Sequence, residues 1–156
     1  MSVPSWKRTQ AASEYVYRIY LLNIRLGEIL INKPKKYKAN YADAAIHTAL
    51  SALENAQLAD SISLPSSTSL QQDYVMRREA LLLARGQLIH LATCTEIFLE
   101  IVRKHDYQAC GSPTESARLA AKLYEQELEV GALCDQCCEL ITQTLKADRS
   151  YIKAMP

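Results

Sequence analysis

The chain has 156 residues and a mass of 17.5 kDa, with 49% hydrophobic residues, 22% charged residues and a formal net charge of +1. This composition excludes a disordered tail or a fibrous repeat, and the length suits one domain with its own core. We see no basic leader, no apolar run near the ~18 residues of a membrane span, and an odd number of cysteines, five. These features predict a cytoplasmic protein with reduced thiols that is not associated with a membrane.

The near-zero net charge conceals an uneven distribution along the chain. Residues 1–41 carry eight Lys or Arg against two Glu, a net charge of +6. Residues 42–156 carry ten Lys or Arg against fifteen Asp or Glu, a net charge of −5. We therefore expect an anionic ligand to meet only one face of the molecule.

The first half of the chain predicts two amphipathic helices, because apolar residues recur there at alternating spacings of three and four. The first is expected over about residues 11–31, and Pro34 prevents its continuation. Its apolar stripe consists of Tyr15, Ile19, Leu22, Leu26 and Ile29. The second is expected over about residues 39–60. Its stripe consists of Ala42, Ile46, Ala49, Leu53 and Ala56, with Ala45, Ala52 and Ala59 beside it. Such small side chains let a neighbouring helix approach closely.

The second half predicts two longer helices with clear start signals. The third is expected over about residues 69–105, where Ser69 and Gln72 fit a capping box. Its stripe consists of Leu81, Ala84, Leu88, Leu91, Thr95, Phe98 and Val102. The fourth is expected over about residues 113–147, with Ser112 as its cap, Pro113 at the first helical position and Glu115 able to reach back. Its apolar band consists of Leu119, Ala120, Leu123, Tyr124, Leu128, Cys134, Cys138, Ile141 and Leu145.

None of these four helices can bury its apolar stripe alone, and no strand pattern competes with them. The expected fold is therefore all-α: a single domain over residues 1–156 that forms an antiparallel, up-down four-helix bundle with long third and fourth helices.

Catalytic and metal-binding motifs are weak. Cys134, Cys137 and Cys138 share a helix face, but a zinc site would need two further ligands and a redox pair would favour a helix N-terminus. Zinc binding and thiol chemistry stay open as alternatives to simple core packing. The sequence has no Glu-x-x-His pair for a di-iron centre, no Ser-His-Asp set and no phosphate-binding glycine loop. We predict a protein that is not an enzyme and needs no cofactor.

Positive charge is densest in residues 32–41, NKPKKYKANY, and no Asp or Glu occurs between Glu28 and Asp43. Lysines gathered in this way attract phosphate, and Tyr37 and Tyr41 beside them can stack on unpaired bases. Our predicted binding site for nucleic acid or a partner consists of Arg18, Arg25, Lys33, Lys35, Lys36, Tyr37, Lys38, Arg77 and Arg78. The alternative is a solvated loop that only keeps the protein soluble.

Several short motifs, in this order, resemble a family of bacterial four-helix bundles. They are Met1-Ser-Val-Pro4 with Lys7-Arg8, Glu14-Tyr15, Pro34-Lys-Lys-Tyr37, Asp73 with Met76-Arg-Arg78, and Leu145-Lys-Ala-Asp-Arg149 with Tyr151. The family includes the accessory variability determinant (Avd) proteins of diversity-generating retroelements. It also includes proteins encoded by intervening sequences of 23S ribosomal RNA genes.

The resemblance implies a ring-like homopentamer with a basic surface that binds RNA or DNA and a reverse transcriptase. An Avd-like protein would be a non-enzymatic accessory to mutagenic reverse transcription, with Lys33, Lys35, Lys36 and Lys38 as electrostatic contacts. Arg77 and Arg78 would belong to the same surface or to an intersubunit pair. The alternative is a structural or protein-interaction bundle of the intervening-sequence kind, with no nucleic-acid role.

Overall fold

The fold is all-α, as the sequence predicts, and the four α-helices of the described residues form a bundle. The computed structural model describes residues 13–34, 38–107 and 112–155. Helix α1 spans Glu14–Ile31, α2 spans Asp43–Ser61, α3 spans Leu70–Val102 and α4 spans Pro113–Lys153. A π-helical turn, Lys38–Ala42, leads into α2, and a second one, Arg103–Tyr107, continues α3. Among the described helices, none has both the length and the apolar character needed to cross a membrane.

Each helix runs antiparallel to its neighbours in sequence. Helix α1 packs against α2 and α4, and α3 packs against the same two helices from the other side. Between α1 and α2, Asn23 Nδ2 donates to the Ala49 carbonyl at 3.0 Å. Between α2 and α3, Asn55 Nδ2 donates to Gln87 Oε1 at 2.9 Å. Residue numbers rise along one helix as they fall along the next, so the bundle has up-down topology.

The predicted apolar stripes of α1 and α3 are confirmed. All five residues of the first stripe and all seven of the third are buried. Because the spacings of three and four keep these side chains on one side of each helix, they meet in a single core.

Helix α2 is rotated relative to the predicted stripe. Its buried face consists of Ala45, Ala49, Ala52, Ala56 and Ala59. Ile46, which we expected in the core, is 36% exposed, and Leu53 is only partly buried. Ala42, Ala49 and Ala56 of the predicted stripe are buried as expected. The prediction was wrong for Ile46, because α2 lies close to its neighbours through small side chains, which leaves larger apolar side chains on the outside.

Helix α4 differs from its predicted band at several positions. Tyr124 and Leu128 are more than half exposed, whereas Val130 and Cys137, which the band did not include, are buried. The helix also continues to Lys153 instead of ending near residue 147. Its last turns are held in place because Asp148 is buried against α3, where it pairs with Arg77.

The two predicted caps have different outcomes. The Ser112 hydroxyl accepts a hydrogen bond from the Glu115 N–H at 3.2 Å, as expected, although the Glu115 carboxylate accepts from Arg118 instead of reaching back. The Ser69 side chain makes no capping bond. The Ser67 hydroxyl donates to the Asp73 carboxylate at 2.6 Å and accepts from the Ser69 N–H, so Ser67 organises this turn.

Candidate functional site

The described residues do not bring the nine predicted site residues into one surface. Lys35, Lys36 and Tyr37 lie outside the described residues, as does the side chain of Lys38. The remaining five have different surroundings. Only one of them lies in a cluster of unpaired positive charge.

Lys33 is a buried lysine and not a free surface charge. It is 8% exposed, and its Nζ donates to Gln126 Oε1 on α4 at 2.8 Å. Burial lowers the pKa of Lys33, and the nearby charges of Lys122 and Arg25 lower it further. The structure therefore corrects our expectation, since a side chain packed between α1 and α4 is poorly placed to reach a phosphate.

Arg18 and Arg25 share a stripe of α1, as expected, but both have carboxylate partners. Arg18 Nε lies 2.8 Å from Glu14 Oε1 one turn earlier. Arg25 binds Glu129 of α4 through two guanidinium nitrogens and lies 3.8 Å from Glu28. These pairs neutralise the charge that the sequence offers to an anion.

Arg77 fixes the end of the bundle. Its guanidinium pairs with Asp148 of α4 at 2.6 Å, and it donates to the carbonyls of Ala59 and Ile62 at 3.0 Å each. The side chain is only 14% exposed. Arg77 thus joins α2, α3 and α4 within one subunit, which assigns it a structural contact instead of the predicted intersubunit or surface one.

Arg78 points into a groove between α3 and α4 that the sequence did not reveal. The groove has a volume of about 570 Å³, and four cations line it: Arg78 and Arg85 from α3, and Lys146 and Arg149 from α4. We call it the cationic groove. Its other lining residues are Tyr74, Val75, Leu82, Thr142 and Leu145, so none of the described residues that line it carries a carboxylate.

Within the part of the chain that the structure describes, the arginines of the cationic groove are those without carboxylate partners. In the described ranges, five arginines form ion pairs: Arg18, Arg25, Arg77, Arg103 and Arg118. Over the same ranges, Arg78, Arg85 and Arg149 form none, and all three line the groove. Their charges are therefore available to an external anion.

The local geometry keeps these charges together. Arg78 and Arg85 are seven residues apart, two helical turns, so they lie on one side of α3 about 10.5 Å apart along its axis. Lys146 and Arg149 are three residues apart and share one side of α4. Arg85 Nη1 donates to Thr142 Oγ1 across the groove at 3.1 Å, which orients its guanidinium without consuming its charge.

Two smaller cavities near the groove lack this electrostatic character. They have volumes of about 440 and 370 Å³, and Arg77 and Ala147 line both of them. Asp60 and Asp148 line the first, and Glu14 lines the second. Because carboxylates repel phosphate, neither cavity suits the ligand that the cationic groove suits.

The opposite half of α3 and α4 is acidic. Burial raises the pKa of Glu127, and the negative charges of Glu96 and Glu100 on α3 raise it further, while the charge of Arg103 lowers it. This group lies more than ten residues along α3 from Arg85, or at least about 16 Å at 1.5 Å per residue. One end of the seam between α3 and α4 thus carries the groove cations, and the other carries three glutamates whose charge Arg103 partly offsets.

The cysteines of α4 pack as apolar side chains. Cys134 and Cys137 are each 1% exposed and belong to the core. Burial raises the pKa of both thiols from 9.0 to about 12, so they stay protonated at neutral pH and are poor nucleophiles. Among the described side chains, no three His, Cys, Asp or Glu come together as metal ligands.

Three of the four groove cations were missed as site residues. Lys146 and Arg149 belong to the motif Leu145-Lys-Ala-Asp-Arg149, which contributed only to the family resemblance. Arg85 belongs to none of the motifs named above. The positions of these cations near the start of the third helix and the end of the fourth could have indicated the cluster. An antiparallel pairing of the third and fourth helices brings the start of one beside the end of the other. Isolated cations more than 60 residues apart can thereby form one cluster.

The fold and the groove together define an all-α four-helix bundle with an unpaired cationic surface. No family model matches the chain, and neither a curated protein nor a solved structure matches it.

Proposed function

We propose that this protein is a non-enzymatic, Avd-like accessory protein of a diversity-generating retroelement. It binds nucleic acid and supports mutagenic reverse transcription by a partner reverse transcriptase, which performs the chemistry. The observation that carries the proposal is the cationic groove, in which four cations lie together without carboxylate partners among the described residues. The resemblance of the sequence motifs supplies the retroelement context.

Electrostatics favours phosphate as the ligand of this groove. Four like charges in one groove repel one another, and Arg78, Lys146 and Arg149 make no ion pair in the described chain that would offset the repulsion. An anion that lies between the two helices relieves this repulsion and forms charge-assisted hydrogen bonds with both walls. A sugar–phosphate backbone supplies such anions at a regular spacing.

The proposal includes self-association, for which the resemblance implies a pentamer. Helix α2 has a second apolar stripe beside its alanine face, formed by Ile46, Leu50 and Leu53, and Leu50 is 52% exposed. Between Asp43 and Asp60 the helix carries only one formal charge, on Glu54. An apolar surface with so little charge is typical of a contact between subunits.

The same stripe also favours a second candidate, a structural or protein-interaction bundle of the ribosomal intervening-sequence kind. That candidate requires only the apolar surface and gives the cationic groove no ligand. The genes beside this one distinguish the two candidates. A reverse transcriptase gene and a template repeat favour the accessory protein, whereas an insertion in a ribosomal RNA gene favours the second candidate.

The biochemical experiment measures RNA and DNA binding of the whole protein by fluorescence anisotropy over a range of salt concentrations. Three double variants make the same change in net charge. Arg78→Glu/Arg149→Glu changes the groove, Lys35→Glu/Lys36→Glu changes the lysine-rich segment, and Arg118→Glu/Lys122→Glu changes exposed cations elsewhere on α4.

We expect the groove variant to lose affinity on the order of tenfold or more at about 0.1 M salt. The slope of log K against log salt should become shallower by about 1.5, since two phosphate contacts are lost. The Arg118/Lys122 variant should bind like the unchanged protein. Equal losses for both variants would mean that only net charge matters and that the groove has no special role.

The lysine-rich segment is tested in the same series. If Lys35→Glu/Lys36→Glu also flattens the salt dependence, the segment and the groove both contact the strand, as the sequence predicts for the segment. If no variant changes binding, or if the unchanged protein binds no nucleic acid, the accessory function is wrong.

A further inference from the structure

We propose that the cationic groove binds one single strand of nucleic acid, with the sugar–phosphate backbone between α3 and α4 and a base stacked on Tyr74. This inference rests on the proposed function, because it specifies which nucleic acid the groove accepts. RNA and DNA share the chemistry that the groove recognises.

The cations of the groove are placed on both of its walls, as a bound strand requires. Arg77 pairs with Asp148, and Arg85 donates to Thr142, so the register of α3 against α4 is fixed at both ends of the groove. In this register, Arg78 on one wall lies near the level of Arg149 on the other. Lys146 lies at a level between those of Arg78 and Arg85. A strand inside the groove therefore meets cations over about 10.5 Å on the α3 wall and over about 4.5 Å on the α4 wall, beside Arg78.

The size of the groove suits a single strand better than a duplex. Neighbouring helices lie about 8 to 10 Å apart, axis to axis, and the groove is a seam between two such helices. Its volume of about 570 Å³ is that of a small-ligand pocket and has room for about one or two nucleotides. A duplex, with its phosphates on the outside of two paired strands, could touch only the rim of this seam.

The apolar part of the groove lining offers a surface on which a base can stack. Tyr74, Val75, Leu82 and Leu145 line the groove beside the cations. Tyr74 stands one turn before Arg78 on α3, so its ring and the guanidinium lie on the same side of the helix. Proteins that bind single strands without sequence preference combine a cationic groove with aromatic side chains that stack on bases. In a duplex, both faces of each base are already stacked.

The experiment compares single-stranded and duplex oligonucleotides of equal length, in RNA and DNA forms, with the whole protein. We expect single strands to bind at least about tenfold more tightly than the duplexes. Tyr74→Leu should weaken single-strand binding about tenfold, because base–aromatic stacking is lost, while the salt slope is unchanged. Tyr74→Phe should retain the affinity, since phenylalanine keeps the stacking ring.

Tyr124→Leu is the matched control, because Tyr124 is a 59% exposed tyrosine of α4 that does not line the groove. Arg78→Ala is the converse variant, which should make the salt slope shallower by about 0.7 for a single strand. A Tyr74 effect without a slope change, and an Arg78 effect with one, would separate stacking from charge.

The comparison of single strands with duplexes uses the unchanged protein, so it decides the matter even if Tyr74→Leu does not fold. Duplex binding as tight as single-strand binding would overturn this inference and leave the accessory function in place. Absence of all nucleic-acid binding would overturn both. A preference for RNA or for DNA among single strands supports the inference and identifies the source of the strand.

Discussion

Arg77 and Arg78 are adjacent in sequence and yet serve opposite purposes. Consecutive residues of an α-helix point about 100° apart. Arg77 therefore reaches Asp148 and the C-terminal carbonyls of α2, while Arg78 reaches the cationic groove. Arg77 uses its charge to hold the fold together, and the charge of Arg78 stays available. At the scale of single residues, whether a cation is available to a ligand depends more on its partner in the fold than on its position in a basic motif.

The buried pair predicts a large effect on stability. Arg77→Met should lower the free energy of unfolding by about 3 to 5 kcal/mol, because it leaves the Asp148 carboxylate buried without its partner. The double variant Arg77→Met/Asp148→Leu should lose less than the two single variants together, since it leaves no buried charge. Urea unfolding followed by circular dichroism measures these values.

The pair between Glu100 of α3 and Arg103 of the following π-helical turn is the control, because both of its side chains are more exposed than those of Arg77 and Asp148. Arg103→Met should cost far less than Arg77→Met, since water solvates the remaining carboxylate. Equal costs for the two substitutions would show that Arg77 does not hold the helices together.

Helix α2 shows how one element can serve two neighbours. Its alanine face is fully buried against the bundle, whereas the stripe with Ile46 and Leu50 lies outside. The alanines have no space-filling side chains, so the backbone of α2 lies close to its neighbours and any added volume must displace them. The small residues thereby fix the position of α3, and with it one wall of the cationic groove.

This packing predicts that Ala52→Leu destabilises the protein by about 1 to 3 kcal/mol through overpacking. Ala52 is 0% exposed, whereas Ala44, on the outer side of the same helix, is exposed. Ala44→Leu is therefore the matched control and should have almost no effect, because the helix propensities of the two residues are similar. The midpoint temperatures of thermal unfolding compare the two variants. Equal midpoint temperatures for both variants would refute the close packing of α2.

At the scale of the whole molecule, charge and apolar surface occupy different places. The groove cations lie at one end of the α3–α4 seam, Glu96, Glu100 and Glu127 lie at the other, and the exposed stripe of α2 carries little charge. The proposed ring would bury a stripe of α2, a helix that does not line the cationic groove. Several grooves in one assembly would raise its avidity for a long nucleic acid.

The assembly itself is tested by light scattering coupled to size exclusion. A pentamer of 17.5 kDa subunits has a mass of about 87 kDa. Leu50→Glu should reduce this mass toward that of the monomer, because it places a charge in the apolar contact. Leu128→Glu is the matched control, since Leu128 is 55% exposed on α4 and Leu50 is 52% exposed on α2. A monomeric unchanged protein would exclude the ring.

The sequence by itself determined the class of fold and the core of two helices. The stripes of α1 and α3 could be read directly, because large apolar residues at helical spacing have only one side to bury. The α2 stripe could not be placed correctly, since alanines and larger apolar residues occur on adjoining faces of that helix and periodicity alone does not say which face the neighbours cover.

Only the tertiary structure decided which cations are free. Lys33, Arg25 and Arg77 look as available as Arg85 in the sequence, but their partners Gln126, Glu129 and Asp148 lie about 70 to 100 residues away and meet them only after the helices pack. The physical reason is that a charge is neutralised or buried by its neighbours in space. The cationic groove, built from the start of α3 and the end of α4, therefore exists only in the folded bundle.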